Sequence, residues 1–214
     1  MSFELRIFGD PNSEIQLIQM VDDHDLELME QEISYIRELS GQQDFCLKAV
    51  RTDNWYRDLS PWTAPAVFGD RAFGDGAAQT LNYLLHEGIV DSTAAKGTYI
   101  GGYSLAGLFA LWAGTQTDCF DGIAAASPSV WFPGFVDYMR SAEFHTETVY
   151  LSLGDREERT RNALMSKVGE NIRTAYEILR GEGVDCVLEW NHGNHFRDPD
   201  LRTAKAFAWV MRDR

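Results

Sequence analysis

Apolar residues follow two rhythms along this chain: short, nearly continuous runs, and longer stretches in which they recur at every third or fourth position. The first rhythm predicts buried strands and the second amphipathic helices. Extended runs open the chain at "FELRIF" (3–8) and "EIQLIQMV" (14–21), separated by the turn-forming "GDPNS". "DHDLELMEQEISYIRELSG" then places Leu26, Met29, Ile33, Ile36 and Leu39 on one helical face, with acids in its first turn, Arg37 near its end and Gly41 to stop it. "FCLKAV" (45–50) reads as a buried strand. From Thr52 to Phe73 no period emerges, and an irregular stretch of that length marks a functional lid or a hidden element. "DGAAQTLNYLLHEG" predicts a helix ending at Gly88.

The second half alternates regularly. "GTYIGGY", "DGIAAAS", "TVYLSLGD" and "VDCVLEW" read as strands, and "SLAGLFALWAG" as a helix. A long helix is expected over 160–180, with Leu164, Val168, Ile172, Ala175 and Ile178 or Leu179 on one face. "DPDLRTAKAFAWVM" reads as the last helix, capped by Asp198 with Pro199 at its first position. This alternation predicts an α/β fold with a mostly parallel central sheet and helices on both faces. Without repeats or linkers, residues 1–214 are expected to form a single domain.

Composition narrows the functional classes. A formal charge of −14 disfavours nucleic acid and anionic membrane surfaces as partners. No apolar run is long enough to span a bilayer, and "MSFELRIFGD" lacks the basic and apolar segments of a secretory signal. Cys46, Cys119 and Cys186 are odd in number and widely spaced, which suits free thiols in a reducing compartment. Cytoplasm is therefore the expected location, and no cofactor is expected. "GDRAFGDG" (69–76) lacks the Lys-Ser/Thr pair of a phosphate loop, and "IGGYSLAG" does not match a dinucleotide fingerprint.

The strongest chemical signal is Gly102-Tyr103-Ser104-Leu105-Ala106-Gly107, where a strand turns into a helix. A G-x-S-x-G elbow needs small residues beside the serine because the turn presses them against neighbouring backbone, and Ala106 stands where the pattern has its last glycine. A serine hydroxyl becomes a nucleophile only when a base takes its proton and a third group orients that base. His192 and His195 lie in "EWNHGNHFRDP", between the last strand and the last helix; the preceding Gly193 and Asn194 favour His195. The H-x-x-H spacing also permits a metal reading, but no helix aligns the rings and no second ligand cluster accompanies them. For the acid, "GDREER" offers Glu157 first, with Asp155 and Glu158 as alternatives. The backbone N–H of Leu105 is one expected oxyanion donor, and the backbone of Asp23 or His24, in "VDDHD", the other. The acids of that segment also admit a cation site, although a solvated helix start is the commoner reason for them.

With those residues identified, the sequence resembles the α/β-hydrolases of the esterase group that includes esterase D and the enterochelin-type (siderophore) esterases. The resemblance runs from about residue 14 to the end and rests on "YRDLSPW", "GGYSLAGLFALW", "AAASPSVWF", "LGDREE" and "GNHFRDPDL". It implies a serine esterase with Ser104 as nucleophile, His195 as base and an acid from residues 155–158. Ala106 and the acidic "VDDHD" depart from the family pattern, and the short chain implies a compact hydrolase fold with little or no cap domain. Trp55, Tyr56, Trp62, Phe68, Trp131 and Phe132 fall in segments that should rim the site, with Trp62 and Trp131 as the leading substrate contacts and about half of these rings expected in the core. The expected substrate is a small or aryl carboxylic ester; the resemblance also implies siderophore esters, for which the acidic chain offers no general attraction but Arg57 or Arg71 could supply a local one. An acyltransferase or thioesterase would share the triad, and a pseudo-hydrolase acting as a binding module would keep only the fold. The oligomeric state is not legible.

Overall fold

Alternation of side chains along the strands divides the apolar residues between two cores. The computed structural model describes residues 2–67, 69–90 and 96–212. Strands β1 (Phe3–Phe8), β2 (Ile15–Val21), β3 (Cys46–Thr52), β4 (Gly97–Tyr103), β5 (Gly122–Ala126), β6 (Thr148–Gly154) and β7 (Asp185–Asn191) form one sheet in the order β1-β3-β2-β4-β5-β6-β7. Every neighbouring pair is parallel except β1 with β3. The helices are α1 (Asp23–Ser40), α2 (Trp55–Asp58), α3 (Ala77–His86), α4 (Leu105–Ala113), α5 (Phe135–Met139), α6 (Val168–Gly181) and α7 (Pro199–Val210).

Along β2, Ile18 and Met20 join one core, shared with α3, α4 and α6, while Ile15, Leu17 and Val21 join the other, shared with α1 and α7. This period of two explains why β2 to β6 read as nearly continuous apolar runs: both of their faces are covered, whereas the edge strand β1 is largely exposed. The chain passes from β2 to β3 on one side and returns to β4 on the other. Their carboxyl ends therefore flank a topological switch point, where open α/β sheets leave a crevice.

The helix expected after β2 forms with acids in its first turn and stops at Gly41, as read from sequence. Asp22 caps α1 through a reciprocal capping box with Asp25, and Gly41 ends the helix in the left-handed conformation at φ 71°. Other expectations are corrected. Leu39 is 47% exposed and does not belong to the buried face of α1. The aperiodic segment contains α2, capped by Asn54, and an antiparallel bridge between Ala64 and Phe73. Its anchor is the fully buried Asp58, which accepts bonds from Thr52 and Arg57. Phe68 lies outside the described residues. The helix expected over 160–180 begins only at Val168, after a single 3-10 turn (Met165–Lys167), because the Asn162 side chain accepts from the N–H groups of Leu164 and Met165 and holds a turn there. Asp198 does not cap α7 with its side chain: its backbone is left-handed at φ 52° and its carboxylate pairs with Arg197. α5, too short to show a period, was not foreseen. Cys46 is buried, and all three cysteines are free. Among the described residues no helix is long and apolar enough to cross a membrane.

One buried group is at odds with its surroundings. Glu32 of α1 is 2% exposed and, among the described residues, receives only a long 3.4 Å bond from Gln19 Nε2. Burial, with the Asp25 charge adding to it, pushes its carboxyl well above the usual carboxylate range. Folded Glu32 thus keeps a proton that the unfolded chain releases at lower pH. Its contribution to stability is full below the unfolded pKa and declines as pH rises toward the folded one. Glu32→Gln should remove that decline, raising the melting temperature more at pH 8 than at pH 5, by about 3 °C for each ~1 kcal/mol gained. Equal shifts at the two pH values would contradict this account.

Candidate active site

The end of β4 sets the geometry. Ser104 sits at φ 57° and ψ −116°, a backbone region that a non-glycine residue occupies only under constraint. Three backbone bonds impose it: Ser104 N–H donates to Ala126 O, while Ser104 O accepts from the N–H groups of Leu108 and Ser129. The small neighbours are required by contact. A Cβ on Gly102, at φ 151°, would lie 2.6 Å from Ala106 Cβ, and one on Gly107 would lie 3.0 Å from Gly102 O. Ala106 therefore fits in place of the pattern's last glycine only because position 102 has no side chain.

Ser104 Oγ lies 3.0 Å from His195 Nε2, and His195 Nδ1 lies 2.7 Å from Glu157 Oε2. A carboxylate only accepts, so Nδ1 carries the proton of a neutral ring and Nε2 is left to accept from the serine hydroxyl. The Glu157 side chain is 4% exposed, and its other oxygen accepts from Gly154 N–H at 2.7 Å, Ser127 Oγ at 2.8 Å and Arg202 Nη1 at 2.9 Å. Burial works to raise its pKa. The hydrogen bonds from His195, Gly154 and Ser127 outweigh it and hold the carboxyl below its ordinary value.

Of the three acids, Glu157 meets His195. Asp155 instead binds His192 Nδ1 at 3.1 Å and Gly193 N–H at 2.8 Å, bracing the loop that carries His195. Glu158 pairs with Arg173 at 3.7 Å. His192 points to Asp155, away from the His195 partners. Among the described residues, no group of three or more His, Cys, Asp or Glu side chains is placed to hold a metal ion.

A cavity of about 590 Å³ opens over Ser104 and His195. Trp55, Tyr56, Tyr103, Trp131 and Phe196 supply its aromatic wall, Phe196 being 87% exposed at the rim, and Asp22, His24 and Asp25 line it from the start of α1. Partial burial, with the Asp22 charge adding to it, pushes the Asp25 carboxyl up to about 7. Trp131 thus falls where expected, but Trp62 does not. Its Nε1 donates to Pro133 O at 2.9 Å and its ring packs against Phe132, Phe135 and Tyr138, so it plugs the layer beneath. Phe132 is buried there too. Arg57 is paired with Asp58, Arg71 is exposed, and neither borders the cavity.

Leu105 and Asp23 are the first residues of α4 and α1, where backbone N–H groups have no partner within the helix. The Asp23 side chain turns away to Arg51, 2.5 Å from its Nε. Four polar residues at the site were not singled out from sequence. Ser129 Oγ lies 3.2 Å from Ser104 Oγ, and Tyr103 donates its hydroxyl to His195 O at 2.7 Å. Ser127 and Arg202 meet Glu157 as described. The available signal was "SPS" directly after a strand, and an arginine on the apolar stripe Arg202, Ala206, Val210 of the last helix.

No protein-family model matches the chain, and no curated protein does. Solved structures do. The siderophore hydrolase EstA from Aspergillus nidulans is similar with a TM-score of 0.73 at 19% identity, over 98% of this chain and 89% of its own. An IroE-like serine hydrolase from Shewanella oneidensis gives 0.66 at 12% identity, over 98% and 79%. Esterase PE8 gives 0.64 at 17% identity, over 98% of each chain. The chain therefore has the α/β fold of these hydrolases and esterases, and the likeness to siderophore esterases expected from its motifs is met at the level of fold.

The packing at the elbow is open to a direct check. Gly102→Ala should lower stability by about 2 kcal/mol or more, because the new methyl meets Ala106 and the backbone is held at positive φ. A denaturant melt matching wild type would refute the contact.

Proposed function

We propose that this chain hydrolyses a small or aryl carboxylic ester through a serine acyl-enzyme, with Ser104 as nucleophile, His195 as general base and Glu157 as the orienting acid. The observation that carries this reading is the unbroken chain of hydrogen bonds from Ser104 Oγ through the imidazole to Glu157, at the floor of an aromatic cavity. As Ser104 Oγ bonds to the ester carbonyl carbon, its proton passes to His195 Nε2 and the carbonyl π pair moves onto oxygen. The backbone N–H of Leu105, and that of Asp23 across the switch point, are assigned to the resulting oxyanion. Collapse breaks the bond to the alcohol, which leaves with the proton from Nε2. Water then enters and gives one proton to the same nitrogen as its oxygen bonds to the acyl carbon; collapse breaks the bond from that carbon to Oγ, the proton passes from Nε2 back to Oγ, and the carboxylic acid leaves.

The rings of Trp55, Tyr56 and Trp131 favour an aryl or apolar group beside the ester. The Asp22 charge at the start of α1, with no lysine or arginine among the lining residues, opposes an anionic substrate. Several structurally similar proteins are named for siderophore or enterobactin hydrolysis, so a siderophore ester belongs in the test panel beside p-nitrophenyl and acetyl-aryl esters.

A fluorophosphonate probe should label the wild-type protein stoichiometrically and leave Ser104→Ala unlabelled. A folded wild type that stays unlabelled would instead indicate a binding module. His195→Ala should lower turnover of p-nitrophenyl acetate by about 10⁴-fold or more; retained turnover removes it from the mechanism. Glu157→Gln should cost more activity than Asp155→Asn or Glu158→Gln, measured as kcat/KM, and the reverse order would reassign the acid.

A further inference from the structure

Among the described residues, the largest fully buried side chain is a cation. Arg202, 2% exposed, enters from α7 and makes five hydrogen bonds. Nη1 donates to Glu157 Oε1 at 2.9 Å, Tyr103 OH at 3.1 Å and Ser127 Oγ at 3.2 Å. Nη2 donates to the carbonyls of His192 at 3.3 Å and Asn194 at 3.1 Å. One planar group thus holds the carboxylate that faces His195 and the backbone on the N-terminal side of His195. Tyr103, itself bound to Arg202, holds the carbonyl of His195.

Burying an ion pair is a poor route to stability, since well-packed apolar groups of similar volume commonly do as well or better. What a guanidinium supplies here is direction. Its rigid fork offers donors along two edges at once, which a lysine ammonium cannot reproduce. The space is closely fitted: a Cβ on Gly154 would lie 3.0 Å from both Arg202 Nη1 and Glu157 Oε1.

We propose that Arg202 is a positioning residue for the ester hydrolysis inferred above, locking Glu157 and the 192–195 backbone into the one arrangement in which the imidazole faces Ser104. It touches neither substrate nor nucleophile and acts through Glu157 and the loop. The proposal rests on the assignment of Ser104, His195 and Glu157.

The test is steady-state hydrolysis of p-nitrophenyl acetate by the full chain, with thermal melts to establish folding. Arg202→Gln should lower kcat by about 10- to 100-fold, the range seen when an outer partner of a functional side chain is lost, with KM within about twofold of wild type. Arg202→Lys keeps the charge but not the fork and should recover only part of the loss. In an E157Q background, Arg202→Gln should change kcat by less than about threefold, because residues acting as a unit are not additive. If Arg202→Gln does not fold, Arg202→Lys decides alone, with reduced kcat at unchanged KM supporting the role and wild-type kcat refuting it. A folded Arg202→Gln with wild-type kcat, a loss confined to KM, or a loss undiminished in E157Q each overturns the proposal while Ser104-dependent turnover stands. Absence of Ser104-dependent turnover in wild type overturns both readings.

Discussion

A carboxylate removed from water must be met by donors on every side, and Glu157 is where this molecule meets that demand. The donors arrive from four directions: Gly154 at the end of β6, Ser127 beyond β5, His195 in the loop after β7, and Arg202 in α7. Only a parallel sheet brings the carboxyl ends of consecutive strands to one edge in this way. The apolar strands and covering helices create that edge. The polar atoms clustered there decide which side chains it aligns.

Strain collects at the same edge. Among the described residues, three non-glycine positions have positive φ: Ser104, Ser127 and Asp198. Ser104 is the elbow itself. Ser127 contacts the acid, and Asp198 opens the helix that carries Arg202. Such conformations typically cost about 1–3 kcal/mol each and survive where surrounding bonds over-determine them. Here those bonds are visible: the Ser104 backbone is held by Ala126, Leu108 and Ser129. The 127–129 tripeptide touches both ends of the Ser–His–Glu chain through its two hydroxyls, while Pro128 packs against Gly107 behind the elbow.

Much of this was legible in the sequence because the relevant physics is local. Strand runs, helical faces, the small residues of the elbow and a Gly-Asn turn before a histidine each leave a mark within a few residues. The choice among Asp155, Glu157 and Glu158 was less secure, because three acids within four positions differ only in which neighbour each meets after folding. Trp62 was misplaced for a related reason: an aromatic ring in a loop reads alike whether it faces a cavity or the packing beneath it. Arg202 was missed because an arginine within an amphipathic helix is usually solvated, and its partners lie 99, 75 and 45 residues earlier in the chain. α2 and α5 escaped because single-turn helices are set by caps and contacts rather than by a repeating pattern.

The position of α7 has a further consequence for how the molecule comes into being. This helix packs on α1 and on β4, β5 and β6, so it closes a face whose other members are made much earlier. A nascent polypeptide that has left the ribosome only as far as β7 already contains Ser104 and Glu157, yet it has no guanidinium to neutralise the acid and no cover over half of the sheet. Docking of α7 therefore supplies the guanidinium and the missing cover in one step.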